Sequence, residues 1–203
     1  SSHNFGHTWR GPYMGFQYIE TVSICHHLKR LTPPPRGLHY EWFVYRDGHG
    51  PEHMADYAKA LPPLQEGVDT WHSALPSAHH QSSWVADRTV ARLREHASGG
   101  SLADKPFCMW ASFPDPHHPF DAPDPWSRLH HPDAVDLPLH RARDFERRPW
   151  WHRASQEDVP KIEDETVLRN ILMAERKSAQ TDQQLREIIA NYYGMISLID
   201  HNV

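Results

Sequence analysis

The sequence predicts an α/β fold with long loops, and three stretches carry that expectation. A helix with one apolar face is followed directly by a short, continuously apolar run of strand type, and a capped amphipathic helix lies at the far end. The first helix starts near Ser82 or Ser83, where a hydroxyl caps free backbone N–H groups, and stops before Gly99-Gly100. Its apolar residues Ala86, Val90, Leu93 and Ala97 fall at helical steps on one face, which predicts that this face packs inward. Pro106 to Phe113 follows, apolar without interruption, as expected of a strand buried on both faces. In the last helix Thr181 and Gln184 form a capping box. Leu185, Ile188, Ile189, Tyr192, Ile196 and Ile199 mark its apolar face, and Gly194 predicts close approach of another backbone.

The remaining segments are less regular. Residues 1–79 read as loop-rich, punctuated by Pro33-Pro34-Pro35, Gly48-His49-Gly50 and Pro62-Pro63, with a strand at Tyr18–Ile24 and a short helix at His53–Leu61. From Pro114 to about Pro160 the chain loses periodicity, and a connection of that length is more often functional than idle. Trp150-Trp151, with His152 and Arg153, reads either as an aromatic and cationic rim for a substrate or as an anchor for the loop.

Composition narrows the function. A chain of 203 residues has the size of one domain. Only 38% of it is hydrophobic and 23% charged, while 18 His and 18 Pro fill the difference. Acids outnumber bases by 26 to 21 and the basic run Arg141–Arg148 is broken by Asp144 and Glu146, which argues against a nucleic-acid partner. No run approaches the ~20 apolar residues of a membrane span. Ser1-Ser2-His3-Asn4 has neither region of a signal peptide, so a soluble chain with no membrane partner is expected. Cys25 and Cys108 make no C-x-x-C pair and leave the redox compartment open. With imidazole pKa values near ~6.5, the net charge turns positive by about pH 6.

The segment with most chemistry is Phe113-Pro114-Asp115-Pro116-His117-His118-Pro119-Phe120. In α/β folds, ligands gather at the carboxyl ends of strands, and prolines on both sides hold His117 and His118 on a stiff loop. An imidazole so placed donates a hydrogen bond to an anionic oxygen or passes a proton to a leaving group. The plainer reading is a rigid turn with two exposed histidines, and Asp115 then stabilises the turn. The pairs His26-His27, His79-His80 and His130-His131 suggest zinc. Adjacent residues rarely give one tetrahedral ion two ligands, however, so no metal ligand is assigned.

Pro106 to Phe120, Pro-Phe-Cys-Met-Trp-Ala-Ser-Phe-Pro-Asp-Pro-His-His-Pro-Phe, resembles the sulfatase pattern of a "PFFL-x-x-SF" strand followed by a P-H-x-P-F loop. Gly11–Phe16 is similar to the family's segment before a central strand. Ser83–Thr89 resembles the start of the helix that precedes the P-H-x-P-F strand, and Tyr192–Val203 resembles the family's "YYA-x-x-x-x-D-x-x-V" helix. The resemblance implies a partial alkaline-phosphatase-like mixed sheet flanked by helices, with residues 1–203 forming an incomplete sulfatase catalytic domain. It also implies hydrolysis of a small-molecule or carbohydrate sulfate ester by a formylglycine beside a divalent metal ion, usually calcium. His117 maps onto the family's catalytic and substrate-binding histidine, and His118 is an adjacent substrate-binding candidate.

The departures are as informative as the matches. Cys25 precedes His26-His27-Leu28 and Cys108 precedes Met109-Trp110-Ala111, so neither stands in the C/S-x-P-x-R motif that yields formylglycine. Asp200-His201 has the look of a metal pair but falls within the helical match, where an Asp is more often structural. Nucleophile and metal are therefore expected from parts that this sequence does not contain, at its amino and carboxyl sides, and the 203 residues alone are expected to be inactive. Alternatives are a phosphate or phosphonate ester hydrolase of the same superfamily and a non-catalytic His-rich module for zinc or copper.

Overall fold

Helix α1 (His39–Tyr45) is short and is followed after one turn by α2 (Gly50–Ala58). The computed structural model describes residues 15, 16, 18–22, 39–99, 104–139, 146, 148, 149 and 180–203. Pro51 sits in the first turn of α2, where its missing N–H costs nothing, so the helix begins before His53, the start expected from sequence. The chain then forms β1 (Ala60–Leu61), which pairs antiparallel with β2 (His72–Ser73) in the register Ala60–Ser73 and Leu61–His72. A 3-10 turn at Ser77–His79 leads into α3 (Gln81–Ala97). Two further 3-10 turns, Trp126–Arg128 and Pro132–Ala134, precede α4 (Asp182–Asn202). The described architecture is thus a mixed, α/β-like arrangement of four helices and a small sheet.

The expected strand at Pro106–Phe113 does not form. Residues 106–112 are exposed and carry neither helix nor strand, with Phe107, Met109 and Trp110 open to solvent. An apolar run becomes a strand only when a neighbour satisfies its backbone N–H and C=O groups, and none of the described residues does so here. Parallel pairing occurs further on instead. Bridges join Thr70 to Phe120 and Ser73 to Pro123, with Phe120 N–H donating to the Asp69 carbonyl at 2.7 Å and Ser73 N–H to the Ala122 carbonyl at 3.2 Å. Tyr18–Val22, expected as part of a strand, runs without regular structure past the start of α1, and Tyr40 N–H donates to the Thr21 carbonyl.

Among the described residues, two clusters hold the fold together. Tyr40, Val44, Met54, Trp84 and Val85 join α1, α2 and the first turns of α3, with Val22, Phe43, Tyr45 and Phe113 packed around them. The second lies along α4, whose Ala190, Asn191, Gly194, Met195 and Leu198 are buried against the Trp126–Arg128 turn and α3. This face is rotated from the expected one, and Tyr192 and Ile196 are exposed. In α3 the burial is also displaced: Gln81 to Ala86 are inside, whereas Val90, Leu93 and Ala97 of the predicted inward face are exposed. Among the described residues, the buried part of α3 is its amino-terminal portion.

Gly194 fulfils its expectation, because a Cβ there would lie 2.5 Å from the Trp126 carbonyl oxygen. The capping box of α4 is also as expected: Thr181 Oγ1 accepts from Gln184 N–H at 3.2 Å, and Gln184 Oε1 accepts from Thr181 N–H at 2.8 Å. Gly11–Met14, Cys25 with His26-His27, Pro33-Pro34-Pro35 and Trp150–Arg153 lie outside the described residues. No helix among the described residues is long and apolar enough to cross a membrane.

Candidate functional site

The loop that bears the candidate histidines is fastened to the amino end of α3. Asp115 is buried and accepts from the Ser82 hydroxyl and the Gln81 amide. A carboxylate there also meets the partial positive charge of the helix terminus. The residue read as a turn stabiliser therefore ties loop to helix. The α3 cap is His80 rather than Ser82 or Ser83: its Nδ1 accepts from Ser82 N–H at 3.3 Å, which frees the Ser82 hydroxyl for Asp115. Burial pushes the His80 ring down from the usual imidazole range, so it stays neutral. Its Nδ1 lies 3.6 Å from Asp115 Oδ2, and because Nδ1 already accepts, the contact sets two acceptors side by side rather than making an ion pair.

His117 projects from this anchored loop and is exposed, while its neighbour His118 is half-buried. The two rings lie 4.2 Å apart, tilted by 31°. Nδ1 of His117 is 2.7 Å from the His118 carbonyl oxygen. A carbonyl only accepts, so Nδ1 must carry the proton and Nε2 is the free face of the ring. Neutral His117 thus offers a lone pair at Nε2, and protonated His117 offers a donor there.

Behind the loop stands a second buried acid, Asp121, whose Oδ2 accepts from the Tyr57 hydroxyl. Burial first, and then the charge of Asp115, push the Asp121 carboxyl well above the usual carboxylate range, so it is held as the neutral acid.

Elsewhere, three separate elements converge in a way that sequence reading missed. Asp47, in the turn after α1, has Oδ2 at 2.7 Å from Nε2 of His53 on α2. His79, at the end of the 3-10 turn before α3, stacks on His53 with ring centroids 4.1 Å apart. One ligand-type atom from each of the three residues lies within 4.8 Å of the others. Asp47 and His53 are six positions apart, but His79 is far from both in sequence, so no spacing motif announces the group.

His79 and His80 therefore diverge, one ring toward α2 and the other into the interior. His130 Nε2 lies 2.9 Å from the Ser197 hydroxyl, and His131 caps the Pro132–Ala134 turn. Asp200 and His201 end α4 exposed, with the His201 ring 4.8 Å from that of Trp126. No other described carboxylate or imidazole groups with them as ligands. Cys108 is a free, exposed thiol outside any C-x-P-x-R context. The described residues thus fit neither a calcium site at Asp200-His201 nor a formylglycine at Cys108.

No protein-family model matches this chain. Comparison with curated proteins gives no significant match.

Proposed function

We propose that the chain is part of a sulfatase of the alkaline-phosphatase-like superfamily, in which His117 faces the sulfate ester. One observation carries the reading: three stretches that resemble the family in sequence pack against one another and leave His117 Nε2 without a partner among the described residues. Asn202, from the stretch resembling the family's "YYA" helix, donates to the Ser83 hydroxyl at 3.4 Å. Tyr192 of the same stretch meets the ring of Phe120, at the end of the P-H-x-P-F match, with centroids 6.2 Å apart. Asp115 completes the triangle through Ser82, next to the start of the α3 match.

In this reading His117 acts through Nε2. With Nδ1–H spent on the His118 carbonyl, the ring in its protonated form donates its second proton from Nε2 to the bridging ester oxygen, giving the leaving alcohol its proton as the S–O bond breaks and leaving the neutral imidazole. His118 stands alongside as a substrate-facing residue. Formylglycine and calcium, which the resemblance implies, belong in this reading to sequence other than these 203 residues. In an enzyme that contains the nucleophile motif, His117→Ala is expected to lower turnover on an aryl sulfate by about 10²–10⁴-fold with the fold intact. Unchanged turnover removes His117 from the reaction. The 203 residues alone are expected to show no sulfate-ester hydrolysis. A phosphate or phosphonate ester is the second reading, because the anion is tetrahedral in both cases; a substrate panel on the same enzyme separates the two.

A further inference from the structure

We propose that Asp47, His53 and His79 form a binding site for a single first-row divalent cation of the zinc type. The site shares no residue with the His117 loop, so it stands or falls independently of the ester-hydrolase reading.

The donor set selects the ion. Two imidazoles and one carboxylate suit zinc and its neighbours, whereas calcium and magnesium require oxygen ligands almost throughout. Metal–ligand bonds of ~2.0–2.2 Å place ligand atoms roughly 3.5 Å apart in a tetrahedron. The three donor atoms, all within 4.8 Å of one another, need only small side-chain adjustments to reach that geometry. The closest pair, Asp47 Oδ2 and His53 Nε2 at 2.7 Å, is a hydrogen bond that an entering cation replaces. Nε2 then gives up its proton, to Nδ1 of the same ring when the imidazole is neutral or to solvent when it is charged, and both atoms turn their lone pairs on the ion.

The surroundings already orient the ligands. His49 N–H donates to Asp47 Oδ1 at 2.8 Å, which fixes the carboxylate and leaves Oδ2 for the ion. The Tyr40 hydroxyl donates to the His79 carbonyl at 2.8 Å, holding that residue against α1. Nδ1 of His79 is buried and has no hydrogen-bond partner among the described residues, so none of their bonds at that nitrogen is lost when the ring enters a coordination sphere. Such outer contacts align metal ligands in advance. At Gly50, where α2 starts, a Cβ would run into the Tyr45 ring. The close turn that sets Asp47 beside His53 depends on this absence of a side chain.

Charge and access agree with the geometry. Asp47 is held down to about 2, first by its hydrogen bond to His53 and then by that from His49 N–H, so it is anionic at any ordinary pH. Burial, followed by the charge of His53, lowers His79, which keeps a lone pair available at neutral pH. The Asp47 side chain is 41% exposed and that of His53 15%, so an ion can enter from solvent and keep water in the fourth position.

The test is titration of the 203-residue chain with zinc chloride by calorimetry against a competing chelator, with cobalt chloride as a spectroscopic probe. One equivalent of zinc is expected to bind tightly, and cobalt to show the visible bands of a four-coordinate site. Asp47→Asn, His53→Ala and His79→Ala should each weaken zinc at least about 10–100-fold. The His53→Ala/His79→Ala chain should lose the cobalt bands. His131→Ala, at an exposed imidazole elsewhere, should change neither. Circular dichroism checks folding, and Asp47→Asn, conservative and on an exposed turn, covers the case in which His79→Ala does not fold. Zinc affinity and cobalt bands that survive in the folded double variant, or a native chain that binds no better than it, overturn the site.

Discussion

Asn191 ties two segments remote in sequence to α4. It is fully buried on α4, and its Nδ2 lies within hydrogen-bond distance of the carbonyls of Trp71 and Phe120, both at 2.9 Å, and of Gln65 Oε1 at 3.1 Å. Its Oδ1 accepts from Ala122 N–H at 3.2 Å. The parallel segments around residues 70 and 121 are therefore held in register by an amide from the helix that crosses them. Truncation leaves buried backbone groups without a partner, each costing about 1–3 kcal/mol. Asn191→Ala should destabilise the chain by roughly 3 kcal/mol in urea unfolding; a loss within ~0.5 kcal/mol, the usual range of surface substitutions, would show that these bonds are not formed in solution. Sequence gives no hint of this role, because Asn inside a helix is ordinarily neutral or unfavourable, and its partners lie in distant segments. His79 and His80 teach the same lesson. Sequence shows a histidine pair, but only the fold shows that one ring meets Asp47 and His53 while the other caps α3.

At the scale of elements, what was local proved legible. The capping box of α4 follows from Thr181 and Gln184, and α3 ends at Ala97, before Gly99, as expected. Which face each helix buries was not local. Leu185 to Ile199 mark the more apolar side of α4, yet the buried side is the one that contains Asn191 and Gly194, because hydrogen bonding and close approach outweigh the extra apolar area. Gly194→Ala tests this balance. Alanine favours a helix over glycine by ~1 kcal/mol, but its Cβ must displace the Trp126 carbonyl. Overpacking of this kind costs about 1–3 kcal/mol. A net loss of about 1–2 kcal/mol in urea unfolding is expected; a stabilised variant would mean that the Trp126–Arg128 turn does not press on α4. Pro106–Phe113 failed as a strand for the complementary reason, since apolarity cannot supply a hydrogen-bonding neighbour.

For the whole molecule, buried acids and imidazoles make stability depend on pH. Asp121 has a folded pKa well above its unfolded value of about 3.9, so the folded state holds a proton that the unfolded state releases. Its contribution to stability is therefore fully present below about pH 4 and is lost as pH rises through the folded value. Asp121→Asn keeps an acceptor for the Tyr57 hydroxyl and removes this titration. Its melting temperature should exceed that of the native chain at pH 8, and the gap should narrow toward pH 4. A gap that stays constant with pH would mean that Asp121 does not change its protonation on folding. His72, lowered by burial and then by Arg128, works in the opposite direction: its contribution is present above about pH 6.5 and is lost as pH falls.

The sequence by itself determined the mixed, α/β-like class in outline, the capping of α4 and the tight approach at Gly194, and it raised the Phe113–Phe120 segment as the candidate loop. These depend on residues within a few positions of one another, whose steric and hydrogen-bonding preferences act before the chain is compact. Tertiary structure alone decided which helix faces are buried, that Asn191 bridges two parallel segments, that Asp121 is held neutral, and that Asp47, His53 and His79 converge. Each of these depends on distances between segments remote in sequence, and no local pattern encodes such a distance.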